Sequence, residues 1–253
     1  MLNKPTDFVA SLAKGLKVIE AFRADRPRLA VVEVARVTGL DRATARRCLL
    51  TLHSLGYADY DGKFFTLTPR ILRLGMGALA TLPLPQIVQP WLDQLSEQIG
   101  QSTSVAILDD TEVVYVARAA QKRVMTVGLM PGSRLPAHST SLGRVLLASL
   151  PEAQARALIE RADLTPRTVR SLTSPDEIMT ELGKIRETGH AIIDQEVEIG
   201  LRSIAVPVFD ARGRTVAALN TGVAAIQAGP EDLARDYLPG LLKVQEALRR
   251  VLQ

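Results

Sequence analysis

The sequence predicts an α+β fold in two parts, a winged helix-turn-helix at the N-terminus and a larger C-terminal domain built on an antiparallel sheet. Three observations lead there. Two helical patterns meet at Gly39-Leu40-Asp41 and are followed by a hairpin signal at Asp61-Gly62. Strand-like runs flank a helical middle between residues 103 and 223. Basic charge is concentrated at one end: residues 1–80 carry 13 Lys/Arg against 7 Asp/Glu, whereas residues 81–253 carry 18 against 20. Such asymmetry fits a polyanion-binding module joined to a near-neutral one.

Bulk composition agrees. With 253 residues, 47% hydrophobic and 23% charged, the chain can bury a sizeable core without staples. Its one cysteine, Cys48, excludes an internal disulfide and fits a reducing, cytoplasmic setting. Cys48 and the scattered His53, His138 and His190 offer no zinc-finger spacing, and no cofactor is expected. Met1 to Phe8 has no apolar run, so no signal peptide is expected. Leu74 to Leu92 is uncharged over 19 positions, but Pro83, Pro85 and Pro90 argue against a membrane span.

The elements follow in order. Ser11 is expected to cap a first helix with Leu12, Leu16, Ile19 and Phe22 inward, and Pro27 ends it. Val31 to Thr38 forms a second helix stopped by Gly39, although Ala30 is a poor cap. Asp41 caps a third, with Ala45, Cys48, Leu49, Leu52 and Leu55 on one face and Gly56 at its end. Tyr57 to Leu67 reads as two strands around Asp61-Gly62, in a type I′ turn. Helices over Pro69–Leu82 and Leu84–Gly100 form a joint, the second with an apolar stripe of Ile87, Val88, Trp91, Leu92, Leu95 and Ile99. Gly75 to Ala80 matches a loose dinucleotide pattern but sits in a helical run, not after a strand.

Beyond residue 100, strands are expected at 103–108, 113–117, 124–129, 192–193, 204–209 and 215–223. Helices are expected at 139–150, 151–162, 175–188 and 230–252. The domain limits are a reading domain over 1–70, linker helices over 71–100 and a second domain over 101–253.

The third helix carries the candidate reading face: Arg42, Ala43, Thr44, Arg46 and Arg47 lie near its N-terminus. Arginine can bind guanine O6 and N7 by two parallel hydrogen bonds, and threonine can pack on a thymine methyl. Lys63 at the wing tip and Lys14 or Lys17 on the first helix suit phosphate contacts. The partner is double-stranded DNA; the plain alternative is a solvated charged face.

Four blocks carry a family resemblance. They are Ser11-Leu12-x-Lys14-Gly15-Leu16, Leu67-Thr68-Pro69-Arg70, Leu135-Pro136-Ala137-His138-Ser139-Thr140-Ser141-x-Gly143-Arg144 and Glu198-Ile199-Gly200-Leu201-Arg202-Ser203-Ile204-Ala205-Val206-Pro207-Val208. With these the chain resembles an IclR-type transcriptional regulator over nearly its whole length. The last two blocks resemble most the branch that controls aromatic-acid breakdown through the β-ketoadipate pathway. The resemblance implies a winged helix, a linker helix and a GAF-like effector domain, in a homodimer or a dimer of dimers. It implies effector contacts at Ser203 and Asn220, with Gly222 a further position. Ile193 stands where such chains often have an acid ten residues before Ser203, which leaves room for an anionic effector.

In the second domain Leu135 to Ser139 leads into a helix, so His138, Ser139, Thr140 and Ser141 stand at its start. Free amides and the positive dipole end there can hold a carboxylate, with His138 as an added donor. Helix capping and a structural hydrogen bond are the plainer roles of these side chains. No catalytic grouping is recognisable. His138 and Ser139 are only chain neighbours, and Asp194, Glu196 and Glu198 read as solvated loop acids. The expected effector is a small carboxylate of an aromatic-acid or β-ketoadipate pathway. Another pathway's acid, or an enzyme with an appended basic domain, stand as alternatives.

Overall fold

In the computed structural model, which describes residues 8–23, 26–75, 83–121 and 128–252, the chain divides into two units, Met1–Thr81 and Leu82–Gln253. Each has its own core.

In the first unit, α1 (Ala10–Glu20), α2 (Val31–Thr38) and α3 (Arg42–Ser54) bury Val18, Val34, Ala45 and Leu49 against Phe65. Gly39 ends α2 in the left-handed region at φ 68°. Asp41 then caps α3, its Oδ1 accepting the Thr44 amide at 2.8 Å. The weak start of α2 is relieved by Glu33, whose carboxylate accepts the Ala30 amide at 2.7 Å.

Three expectations change here. Ser11 is not a cap: α1 begins at Ala10, two residues earlier than that cap implies, after Val9 and with no side-chain cap bond. Leu12 and Leu16 are exposed, because the core takes the neighbouring Val18 and Ala21 instead. Leu12 and Leu16 line an open apolar groove with Leu55 and Tyr57. The wing turn is longer than two residues. Tyr60 pairs with Phe65 across β2 (Ala58–Tyr60) and β3 (Phe65–Leu67), leaving Asp61 to Phe64 as the loop. Gly62 has φ 96° but Asp61 does not cross to positive φ. Asp61 instead accepts the amides of Lys63 and Phe64 at 2.9 and 2.7 Å, a side-chain turn in place of a type I′ turn. A short strand, β1 (Arg28–Leu29), adds to the sheet in the order β1-β3-β2.

The second unit is three layers. Its sheet contains β4 (Ser102–Asp109), β5 (Glu112–Ala119), β6 (Arg134–Pro136), β7 (Ala191–Asp194), β8 (Leu201–Phe209) and β9 (Thr215–Ala224). The order is β6-β5-β4-β9-β8-β7, antiparallel throughout. On one face α4 (Pro83–Ile99) and α8 (Pro230–Val251) bury Val88, Leu92, Leu95 and Leu241 against Ile204 and Leu219. On the other lie α5 (Ser141–Ala148), α6 (Glu152–Arg161) and α7 (Pro175–Thr188), which bury Leu142, Ile159, Ile178 and Leu182. The apolar stripe expected on α4 is therefore core of this unit.

The helix expected over Pro69–Leu82 begins as a 3₁₀ turn, Pro69–Ile71, and is helical to residue 75; its remainder, and most of the Gly75–Ala80 pattern, lie outside the described residues. So does most of the strand expected at 124–129. The helix expected from Ser139 begins at Ser141, after a 3₁₀ turn over Ala137–Ser139. Among the described residues no helix is long and apolar enough to cross a membrane.

Candidate functional site

Each unit holds a candidate site. On α3, Arg42, Ala43, Arg46 and Arg47 are exposed. Thr44 is not. Only 7% of it is exposed, and its hydroxyl accepts a hydrogen bond from Arg47 at 3.3 Å. Its place beneath the helix removes it from the expected base-reading set. Hydrogen bonds that Thr44 donates through its side chain and its amide hold the Asp41 carboxyl below the usual carboxylate range, which favours the charged cap. Lys63 is exposed in the wing loop, with its ammonium 5.0 Å from the Phe64 ring centre; the Arg28 guanidinium lies 4.2 Å from the same ring. Lys14 and Lys17 are exposed on α1.

The second site follows from strand register. Ser102 pairs with Gly222, Gly222 with Ser203, and Ser203 with Ile193, in one row across four strands. Two residues along, Arg118 pairs with Ser104, Ser104 with Asn220 and Asn220 with Ala205. Side chains two apart on a strand share a face, so both rows face α5. From these rows Ser102, Gly222, Ser203, Arg118 and Asn220 floor a small pocket whose walls include Tyr115, Thr140, Ser141, Val197 and Leu201. Tyr115 and Arg118 are three apart and would point to opposite faces of a regular strand. A bulge resolves this: Val105 pairs with Ala117 and Ala106 with Tyr115, so Val116 is skipped.

Arg118 is half-buried, and its Nη1 donates to Ser104 Oγ at 2.8 Å. Among the described residues no carboxylate pairs with it, in contrast to Arg144, Arg202 and Arg134. Burial pulls its pKa down, yet guanidinium remains cationic at neutral pH. Burial pushes the Tyr115 phenol up to about 12, so it is a neutral hydroxyl beside that charge.

The start of α5 faces the same space. Thr140 caps it, its Oγ1 accepting the Gly143 amide at 3.1 Å and donating to the Pro136 carbonyl at 3.2 Å. Helix geometry leaves the amides of Ser141 and Leu142 without intrahelical acceptors. Ser141 Oγ is buried with no hydrogen-bond partner among the described residues. Gly143 allows this start to sit where it does: a Cβ there would lie 2.1 Å from the Ala137 carbonyl oxygen.

Of the six residues expected here, Thr140, Ser141, Ser203 and Asn220 line the pocket, as does Gly222. His138 and Ser139 do not. The 3₁₀ turn sends His138 into a separate crevice with Thr111, Leu147 and Ile159. Burial, then the charge of Arg144, brings the His138 pKa from 6.5 down to about 4. It is neutral at pH 7 and gives no donor to the pocket. Ser139 is buried outside the lining. Glu196 and Glu198 do lie in a loop, but the expectation that these acids are solvated fails, and Asp194 is not in the loop. Asp194 is on β7 and pairs with Arg202 at 2.6 Å and with Arg170, while Glu196 is buried against Arg144 at 2.6 Å. Glu198 is half-buried. Sequence reasoning missed Arg118, Tyr115 and Ser102. The available signal was one arginine inside the apolar run Val113–Ala119.

Two family models cover most of the chain: "IclR helix-turn-helix domain" over residues 11–62 and "Bacterial transcriptional regulator IclR C-terminal" over 76–248. The chain is 41% identical to the Pca regulon regulatory protein of Pseudomonas putida, covering 96% of this chain and 84% of that protein. It is 39% identical to the p-hydroxybenzoate hydroxylase transcriptional activator of Acinetobacter baylyi, covering 97% and 93%. Among solved structures it resembles the inducer-binding domain of the PobR transcription factor from Acinetobacter, a double mutant in complex with 3-hydroxybenzoic acid. That likeness has a TM-score of 0.63 and 35% identity, covering 66% of this chain and 98% of that one.

Proposed function

Because the chain belongs to the IclR family of bacterial transcriptional regulators, we propose that its second unit senses a small aromatic carboxylate and its first unit binds the operator. The observation that carries this is Arg118. A half-buried cation without an acidic partner is costly unless an anion completes it. Here it looks into a pocket whose other polar groups are neutral donors: Tyr115, Asn220, Ser203 and the unpartnered Ser141 hydroxyl. A hydroxybenzoate matches that layout, with its carboxylate at Arg118 and its hydroxyl toward Ser141. The PobR domain, solved with 3-hydroxybenzoic acid, supports the choice of acid. A linear diacid of the β-ketoadipate kind is the second reading. The amides at the start of α5 favour it, since they can hold a second carboxylate.

On the DNA side, Arg42, Arg46 and Arg47 read base edges, Ala43 packs on a thymine methyl, and Lys63 with Lys14 or Lys17 holds phosphates. One winged helix reads too few base pairs for genomic specificity, so the working form is a homodimer or a dimer of dimers on repeated half-sites. The cytoplasm is its compartment.

Calorimetric titration of the full chain with 3-hydroxybenzoate, 4-hydroxybenzoate, benzoate and adipate tests the reading. Arg118→Met should weaken the preferred acid by about 3 kcal/mol, about a hundredfold, because it truncates one side of a buried charged hydrogen bond. Operator affinity without acid should stay at the wild-type value. Unchanged acid binding by Arg118→Met would put the acid elsewhere.

A further inference from the structure

Behind the pocket lies an ion pair removed from water. The side chains of Arg144 and Glu196 are 3% and 8% exposed, and Nη2 donates to Oε2 at 2.6 Å. Neither residue lines the pocket, but each is fixed to one of its walls. Arg144 is on α5, just after the Thr140–Ser141 wall, and its Nε donates to the His138 carbonyl at 2.7 Å. Glu196 precedes Val197 and Leu201, which form the facing wall. Its carboxylate also accepts the Leu172 amide at 3.2 Å. Thr168 and Ser171 donate to the carbonyls of Gln195 and Glu196, each at 2.7 Å, so residues 168–172 brace that wall from behind.

We propose that the Arg144–Glu196 pair is a positioning device. It fixes the separation of the two pocket walls and thereby governs acid affinity without touching the acid. The inference rests on the effector reading above. Its physical basis is that a buried ion pair adds little net stability, since desolvation offsets the attraction. A well-packed apolar pair would hold the fold as well. What the charged pair adds is direction: a guanidinium held at one carbonyl and one carboxylate permits a single spacing of α5 from the 195–201 segment.

The test uses the full chain as R144M/E196M, with E196Q as a near-isosteric second variant should the pair fail to fold. Three quantities are read: affinity for 3-hydroxybenzoate and adipate, the unfolding midpoint, and operator affinity without acid. The expected result is about tenfold weaker acid binding, the size of effect seen for residues that couple to a site without contact. The midpoint of R144M/E196M should be at or above wild type, and operator affinity unchanged. Wild-type acid affinity in either folded variant overturns the proposal, whatever happens to the midpoint. If wild-type protein binds none of the acids, the effector reading itself fails, a result separable from the first.

Discussion

In the first unit the side chains proposed to meet DNA stand in water. Arg42, Arg46, Arg47 and Lys63 are exposed, while the buried polar residues described there, Thr38 and Thr44, serve helix hydrogen bonds. In the second unit the order is reversed. Ser102, Ser104, Ser141, Ser203 and Asn220 are buried, and Arg118 is half-buried among them. The difference fits the proposed partners. A polyanion is attracted over distance and gives up counterions, so exposed cations suffice. A small acid must be distinguished from similar acids, which requires fixed donors where water does not compete. Ser141 Oγ is among the buried polar groups there with no hydrogen-bond partner among the described residues.

The largest expected effect tests whether the two regions are independent. Gly143→Ala places a methyl 2.1 Å from the Ala137 carbonyl oxygen, and backbone cannot yield as a flexible side chain can. The substitution should cost the second unit about 3 kcal/mol and lower its unfolding midpoint by about 10 °C. Acid binding should be lost with it. Scanning calorimetry that resolves two transitions should show the first unit's transition unmoved. A fall of both together would break the comparison, because it would mean the units unfold as one.

The same contrast explains what could be read from the sequence. The reading helix depends on neighbours within one turn. Asp41 before Arg42, Gly39 before Asp41 and Ala45 between Arg42 and Arg46 are local facts, and α3 forms as they predict. The wing and α1 differ from expectation in detail because competing local interactions decide them: Asp61 accepts two amides, and Val18 rather than Leu12 is in the core. In the pocket the deciding facts are non-local. Ser102, Gly222 and Ser203 meet only through strand pairing, and Arg118 faces them because of a bulge that no residue type announces. His138 shows the converse error. Adjacency to Ser139, Thr140 and Ser141 made it a partner on paper, but one 3₁₀ turn sends it into another crevice.

A smaller effect should appear on the other side of the molecule. Arg46→Ala should weaken operator binding by about 2 kcal/mol and relax base preference at one position, if its contact is bidentate. Acid affinity should not move. Gel shifts on the operator and on single-base variants measure this. An unrelaxed preference would assign Arg46 to phosphate rather than base.

His138 gives the comparison a pH dependence. Its folded pKa, about 4, lies below the ordinary 6.5. The unfolded chain therefore takes up the proton first as pH falls, and folding is penalised. Stability from this residue is fully present above pH 6.5 and is lost as pH falls toward about 4. The midpoint difference between wild type and His138→Leu should slope across that window and be flat above it. Because His138 lies outside the pocket lining, acid affinity corrected for the folded fraction should not follow the same curve. If it does, the crevice and the pocket act as one site.

The smallest expected effect is at the wing. Lys63 is exposed in the Asp61–Phe64 loop, its ammonium over the Phe64 ring, and it contributes nothing to the apolar core. Lys63→Ala should therefore leave the unfolding midpoint alone. If Lys63 meets one phosphate, its loss removes about one released counterion, and the slope of log K against log salt should flatten by about 0.9. The loss should be equal on operator and unrelated DNA, since a phosphate carries no sequence. Arg46→Ala is expected to behave oppositely, changing preference among sequences. Titrating both variants over the same salt range on both DNAs thus separates reading from holding within one exposed surface. A Lys63→Ala variant that changes base preference at constant salt slope would make the wing a reader, and the division of labour drawn for this unit would have to be redrawn around it.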